Sequence, residues 1–300
     1  MTLQVMKADK FIVRGLLSLS VPGQNEKDIW VDPRTGFEYI AKKPGKNGRI
    51  ETLTEYLLNL IGLRVGLRMA GPGLAYRRGD LRFVSKKFHT SDQLLQHGHE
   101  FLAQFYSAGE VSAVHKNSSS ERKLYSISHV LEGFEAAYLA DADKFIKPFI
   151  KMIFFDALVG CQDRHFKNWG IVRSVRGTHP DFFAPVFDTA RGLFWEYPSS
   201  RLRSCASVEL LRYVRRSRPP IGDFEGNRVD HFTLVRQIIA KLPQFRSMLQ
   251  HMVSSAKEQA VIAMLDAQLG AEFPKGRRIQ LKTCLHLRFV TLREIAASKT

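Results

Sequence analysis

Acidic residues are scarce in this 300-residue chain: 29 Asp and Glu stand against 45 Lys and Arg, a formal charge of +16. Such an imbalance favours anionic partners (nucleotides, RNA, acidic proteins, phospholipid surfaces) through long-range attraction, without choosing among them. No run interleaves aromatic and basic residues in the manner of a nucleic-acid module and the basic residues are scattered, which reads as a generally cationic surface and leaves nucleic acid an uncertain partner. Cysteine is scarcer still. Cys161, Cys205 and Cys284 are odd in number and widely spaced, which argues against a disulfide framework and a zinc site and points to a reducing, cytoplasmic setting. Long apolar runs are lacking too: FIVRGLLSLSV (11–21) and FIKMIFFDALVG (149–160) are too short and too interrupted by charge to span a bilayer. The start, MTLQVMKADK, has neither the apolar core nor the cleavage site of a signal peptide. There is no internal repeat.

What is present is a hydrophobic fraction of 44%, ample for one large core or for two lobes around a cleft. From 10 to 90 the chain reads as short strands: FIVRGLLSL, KDIWV and EYIAK, separated by VPGQNE and DPRTG, then a hairpin in LAYRRGDLRFVSKKF turning at Arg78-Gly79-Asp80. One helix interrupts them. IETLTEYLLNLI places Ile50, Leu53, Leu57, Leu58 and Ile61 at helical spacing, with Gly62 as its C-cap. Beyond 90 the period is mostly helical. SDQLLQHGHEFLAQFYS reads as an amphipathic helix capped by Ser91, which makes the two histidines of HGHE a solvated face. HKNSSSERK (115–123) reads as an exposed loop, and DADKFIKPFIKMIFFDALVG as a buried helix. NWGIVRSV and DFFAPVF follow as two short strands joined by RGTHP, and helices alternate with breaks from about 199 onward. The Arg-rich LLRYVRRSRPP (210–220) reads as a solvated helix end. The expected fold class is α+β and two-lobed, with a small β-rich N-lobe (1–88), a larger mainly helical C-lobe (89–300), and a ligand cleft between them.

The buried helix runs directly into VGCQDRHFKNWGIV (159–172), where an apolar stretch breaks into Asp163, Arg164, His165, Lys167 and Asn168. Asp188 follows Asn168 by twenty residues. An Asp, an Asn five positions on and a second Asp beyond a hairpin supply what phosphoryl transfer needs: a carboxylate for the attacking hydroxyl, and an amide oxygen and a carboxylate for Mg²⁺. Lys42 ends EYIAK where an ammonium can reach phosphates; Lys43, by strand alternation, points to the other face. Glu51 and Glu55 lie one turn apart on the following helix, and spacing does not choose which of them pairs with the lysine. SVPGQNEK (20–27) is a candidate phosphate-covering loop, with Gly23 for close backbone approach and Lys27 for charge. Cys161 reads as a buried small hydrophobe.

Four segments in order, SVPGQNEK, YIAK, DRHFKN and APVFD (184–188), together with the helix ending in IGLRVGL and the FVSKKF segment, resemble the HipA-like serine/threonine kinases, including their short CtkA-like members. The resemblance covers most of 11–195. It implies a protein-kinase-like fold and an ATP- and Mg²⁺-dependent phosphotransferase acting on Ser/Thr of a protein. It also implies Asp163 as catalytic base with His165 and Lys167 supporting the loop, Asn168 and Asp188 as Mg²⁺ ligands, and Lys42 as phosphate anchor. Val84 and Lys86 of FVSKKF would mark the interlobe hinge beside ATP, and Ser20 would be open to autophosphorylation. Two features depart from common kinase patterns: Thr-Ala-Arg-Gly follows Asp188 in place of Asp-Phe-Gly, and Arg164 gives the D-R-H of phosphoinositide kinases. The alternatives are therefore a lipid or small-molecule kinase, or a pseudokinase scaffold binding an acidic partner or RNA. The chain starts almost at the kinase lobe, as a short member or as the partner of a separate antitoxin-like small protein in a toxin–antitoxin pair.

Overall fold

A computed structural model describes residues 5–16, 27–45, 47–106, 124–203, 205, 207–269 and 272–298. The loop stretch 20–26, with Ser20 and Gly23, and the tract 115–123 lie outside them. The N-terminal part is a six-stranded sheet in the order β1-β5-β6-β4-β3-β2. Its strands are β1 (Val5–Lys7), β2 (Ile12–Leu16), β3 (Lys27–Val31), β4 (Glu38–Lys42), β5 (Pro72–Arg77) and β6 (Asp80–Lys86). All neighbours are antiparallel except β1 and β5, which run parallel. The β5–β6 hairpin turns at Arg78 (φ 51) and Gly79 (φ 85), two left-handed residues that match the twist of the strands they join. Asp80 already belongs to β6.

Pleating gives this sheet two faces. Ala8, Phe11, Trp30, Ala41, Ala75 and Val84 form a small core on one. On the other, Leu74, Leu81 and Phe83 join the main core with Leu53, Leu57, Leu58 and Ile61 of α1 (Arg49–Arg64). Helix α1 outruns the expected end at Gly62: it continues to Arg64, and Gly66 (φ 89) follows the cap. Gly62 lies inside the helix, at a point where a Cβ would collide with the Met69 thioether, so its role is close packing and not capping.

The expected helix over 91–107 is the second correction. Residues Gln93–His97 form β7, paired antiparallel with β8 (Gly170–Ser174), and of this stretch's described residues only Gly98–Leu102 (α2) and a 3-10 turn at Ala103–Phe105 are helical. A partner strand distant in sequence supplies the hydrogen bonds, so the local helical spacing loses, and Leu94 is left 61% exposed. β9 (Phe182–Phe183) completes a three-stranded sheet β7-β8-β9. The rest is helical: α3 (Ile127–Tyr138), α4 (Asp143–Val159), α5 (Ser199–Arg203), α6 (Ser207–Arg216), α7 (His231–Lys241), α8 (Arg246–Met252), α9 (Ser255–Leu269) and α10 (Lys275–Ala297). Helix α4 is the central one, with Phe149, Ile150, Phe154 and Phe155 fully enclosed. It ends at Gly160, whose left-handed φ of 65 turns the chain into the polar loop. In α6, Leu210 and Val214 are buried while Arg212, Arg215 and Arg216 face solvent. Among the described residues no helix is long and apolar enough to cross a membrane.

Candidate active site

Three elements and the segment after β9 bring four charges to one point. Lys42, at the end of β4, hydrogen-bonds the Glu55 carboxylate of α1, and its Nζ lies 2.5 Å from Asp188 Oδ1. Lys27, at the start of β3, donates to Asp188 Oδ2 at 3.1 Å. The choice left open between the two glutamates is thereby made: Glu55 pairs with Lys42, and Glu51 lies one turn back with its carboxylate against Gly45. Burial alone would raise the Asp188 carboxyl, but the Lys42 and Lys27 ammoniums outweigh it and hold the pKa well below the usual range. Lys42 is likewise pressed by burial toward the neutral form, and the two carboxylates beside it reverse that, raising its pKa. Asp188 adopts φ 55, a left-handed conformation costing a non-glycine residue about 1–3 kcal/mol, which persists only where surroundings hold it. They do. Val186 bonds residues 68 and 70 on both sides, and Thr189 Oγ1 accepts from Asn59 of α1 at 2.8 Å.

The loop after α4 alternates. Arg164, Phe166 and Asn168 are buried, whereas Asp163, His165 and Lys167 are half-exposed. Arg164 is wholly enclosed, its guanidinium bonding Asp156 of α4 twice (3.0 and 3.2 Å) and the carbonyls of Asn168 and Phe187 (2.7 Å each). One side chain thus ties the loop to the helix before it and to the segment carrying Asp188. Asn168 Nδ2 donates to the Asp163 carbonyl at 2.6 Å, so the amide oxygen is the group left to face a cation. Asp163 is gripped by Arg191, with Nε 3.2 Å from Oδ2 and a second guanidinium nitrogen 3.4 Å from Oδ1. Burial raises the Asp163 carboxyl above its ordinary range, against the pull of Arg191. His165 Nε2 lies 3.9 Å from Asp163, and its Nδ1 accepts from the Lys167 amide at 3.2 Å, so the ring braces the turn. Burial lowers the His165 pKa, which keeps the ring neutral.

Between the sheet and the helical part lies a cavity of 350 Å³. Its apolar wall includes Ile29, Ile40, Phe83 and Phe187; its polar wall includes Lys27, Lys42, Lys167 and Asp188. Of the hinge pair, Val84 and Lys86 send their side chains away from it, because pleating turns Phe83, Ser85 and Lys87 inward; Val84 packs in the small core and Lys86 lies over the Phe37 ring at 3.3 Å. His97 also lines the cavity, edge-on to Phe187 and with its Nδ1 donating to the Lys167 carbonyl at 2.8 Å. The solvated helix face expected for HGHE is thus replaced, at His97, by a cavity wall. Among the described residues no cluster of three or more His, Cys, Asp or Glu side chains could hold a metal. Asn168 with Asp188 offers two hard oxygens, a set that suits Mg²⁺ when phosphates and water supply the rest.

A model of the HipA-like C-terminal domain matches residues 19–260. The chain belongs to that family. Among solved structures, this HipA-like chain resembles the Helicobacter pylori proinflammatory kinase CtkA with a TM-score of 0.77 at 16% identity, over 98% of this chain and 96% of that one. It also resembles HipA in the Shewanella oneidensis MR-1 toxin–antitoxin complex of HipA, HipB and operator DNA, with a TM-score of 0.54 at 12% identity, over 94% of this chain and 68% of that one. At such identities the likeness establishes the fold, a curled sheet joined to a helical part. No curated protein matches the chain.

Sequence reasoning missed three residues of this HipA-like site. Arg191 and Asp156 carry no motif of their own, and only the fold sets them against Asp163 and Arg164. His97 was hidden by its neighbours, whose spacing suits either a helix or a strand.

Proposed function

We propose that this HipA-like protein is an ATP- and Mg²⁺-dependent phosphotransferase acting on a protein Ser or Thr hydroxyl. The observation that carries the reading is the convergence of Lys42 and Asp188 on one cavity, with Glu55 holding the lysine and with Asp163 and Asn168 on the loop that also sends Lys167 into that cavity. The apolar wall suits a purine ring and the lysines suit a triphosphate. In this reading Lys42 and Lys27 hold phosphate oxygens, and Asn168 and Asp188 hold Mg²⁺, which when bound would neutralise charge building on the transferred group. Asp163 orients the acceptor hydroxyl and takes its proton, while Arg164 and Arg191 keep that carboxylate in place. Lys167 faces the phosphate end of the cavity, and His165 supports the loop. The lobes divide at 88/89.

Arg164, the residue that likened the loop to phosphoinositide kinases, is turned wholly into the core, so it speaks for the loop's architecture and for no particular acceptor. Each group that turnover requires is present, which favours an active enzyme over a pseudokinase. Autophosphorylation at Ser20 and pairing with an antitoxin-like partner belong to the same reading. Incubation with γ-labelled ATP and Mg²⁺ tests it: the wild type is expected to transfer label to itself or to added protein, and Asp163→Ala and Asp188→Ala are expected not to. Equal, background-level label in all three would overturn the enzyme reading. Phosphopeptide mass spectrometry on the same sample decides Ser20.

A further inference from the structure

Helix α10 begins beyond residue 260, where the family match ends. It nevertheless reaches both sides of the site. Arg277 and Arg288 stand three turns apart on one face, and both are 0% exposed. Among the described residues neither pairs with a carboxylate; both donate mainly to backbone carbonyls. Arg277 bonds the Phe194 carbonyl at 3.0 Å and the Tyr197 carbonyl at 2.7 Å. Arg288 bonds the Ala157 carbonyl at the end of α4 at 2.7 Å, the Val214 carbonyl at 3.1 Å, and the Ser217 hydroxyl.

These carbonyls flank one junction. Leu193 donates to the Val159 carbonyl at 3.1 Å, Gln162 donates to the Arg191 carbonyl at 3.0 Å, and between those bonds stands the Arg191 grip on Asp163. Leu193 (φ 47) and Phe194 (φ 60) are consecutive non-glycine residues in the left-handed region, a conformation that survives only when neighbours impose it. Arg277 binds the carbonyl of the second. A buried guanidinium is costly unless its hydrogens are used; here each Nε has no partner among the described residues, while the terminal nitrogens spend theirs mainly on the backbone segments that place Asp163.

We propose that Arg277 and Arg288 are positioning residues: α10 acts as a splint that holds 191–197 and the end of α4 together, and so sets Asp163 against its acceptor. This rests on the phosphotransferase reading. In Arg277→Met and Arg288→Met, kcat is expected to fall by roughly tenfold to a hundredfold, the scale of a displaced reacting group. KM for ATP should stay within about twofold, because Lys42 and Glu55 are untouched. Arg277→Lys should restore part of the kcat loss. Unchanged kcat, or a loss matching the unfolded fraction with no recovery in Arg277→Lys, overturns the proposal.

A second measurement needs neither catalysis nor a variant. In native-state hydrogen exchange of the wild type under rising denaturant, the Gln162 and Leu193 amides are expected to open together with the amides of α10. Protection of those two amides after α10 has opened would sink the splint even if the protein proves to be a kinase. Shared opening in a protein that transfers no phosphate would sink the kinase reading alone.

Discussion

At the residue scale, Asp188 is constrained twice over, by two ammoniums on its carboxylate and by a left-handed backbone. Asp188→Asn removes a countercharge shared by two largely buried lysines, of which Lys42 keeps Glu55, a change expected to destabilise by about 3–5 kcal/mol at pH 7. The folded pKa is depressed, so this contribution is fully present above about pH 4, where an unfolded Asp titrates, and is lost as pH falls toward the lowered folded value. Denaturant melts of wild type and Asp188→Asn should therefore differ at pH 7 and converge in strong acid; a gap that persists there would refute the assignment. Asp163 behaves oppositely. Burial raises its carboxyl and Arg191 counters it, so Arg191→Ala should shift the acid limb of activity to higher pH.

At the element scale, the loop 160–169 is held by what precedes and follows it. Asp156→Asn leaves the enclosed Arg164 guanidinium without its carboxylate, and the expected cost is about 3–5 kcal/mol, read as a lowered denaturation midpoint with unchanged slope. Gly160→Ala meets two obstacles. Its φ of 65 costs an alanine about 1–2 kcal/mol, and the new Cβ would collide with the Arg288 guanidinium, so both stability and turnover should drop. Either variant melting like wild type would mean that the loop tolerates displacement. The strand β7 belongs to the same scale: 91–107 suits a helix by spacing, and only β8, some seventy residues away, makes a strand the better partner.

At the scale of the whole molecule, the charge of +16 is uneven in its consequences. Most basic side chains, such as those of α6, face solvent, where salt screens them within about 10 Å at 0.1 M. The lysines of the cavity are sheltered but still draw on the surrounding positive field. KM for ATP is therefore expected to rise severalfold as salt is raised from about 0.05 to 0.5 M, with kcat little altered. A KM indifferent to salt would show that the field contributes nothing to nucleotide capture.

The sequence by itself determined the fold class and most of the candidate site. Apolar periodicity marked α1 and α4, strand alternation put Lys42 and Lys43 on opposite faces, and the spacing of Asp163, Asn168 and Asp188 pointed to the phosphoryl-transfer chemistry proposed for them. These are local signals, written within a few turns or one hairpin. The tertiary structure decided what depends on distant pairs: Glu55 over Glu51, β7 over a helix, the inward side chains of β6 over Val84 and Lys86, and Arg191 on Asp163. Two glutamates one turn apart share a helix face, so only the depth and angle at which α1 meets the sheet could select the one that reaches Lys42.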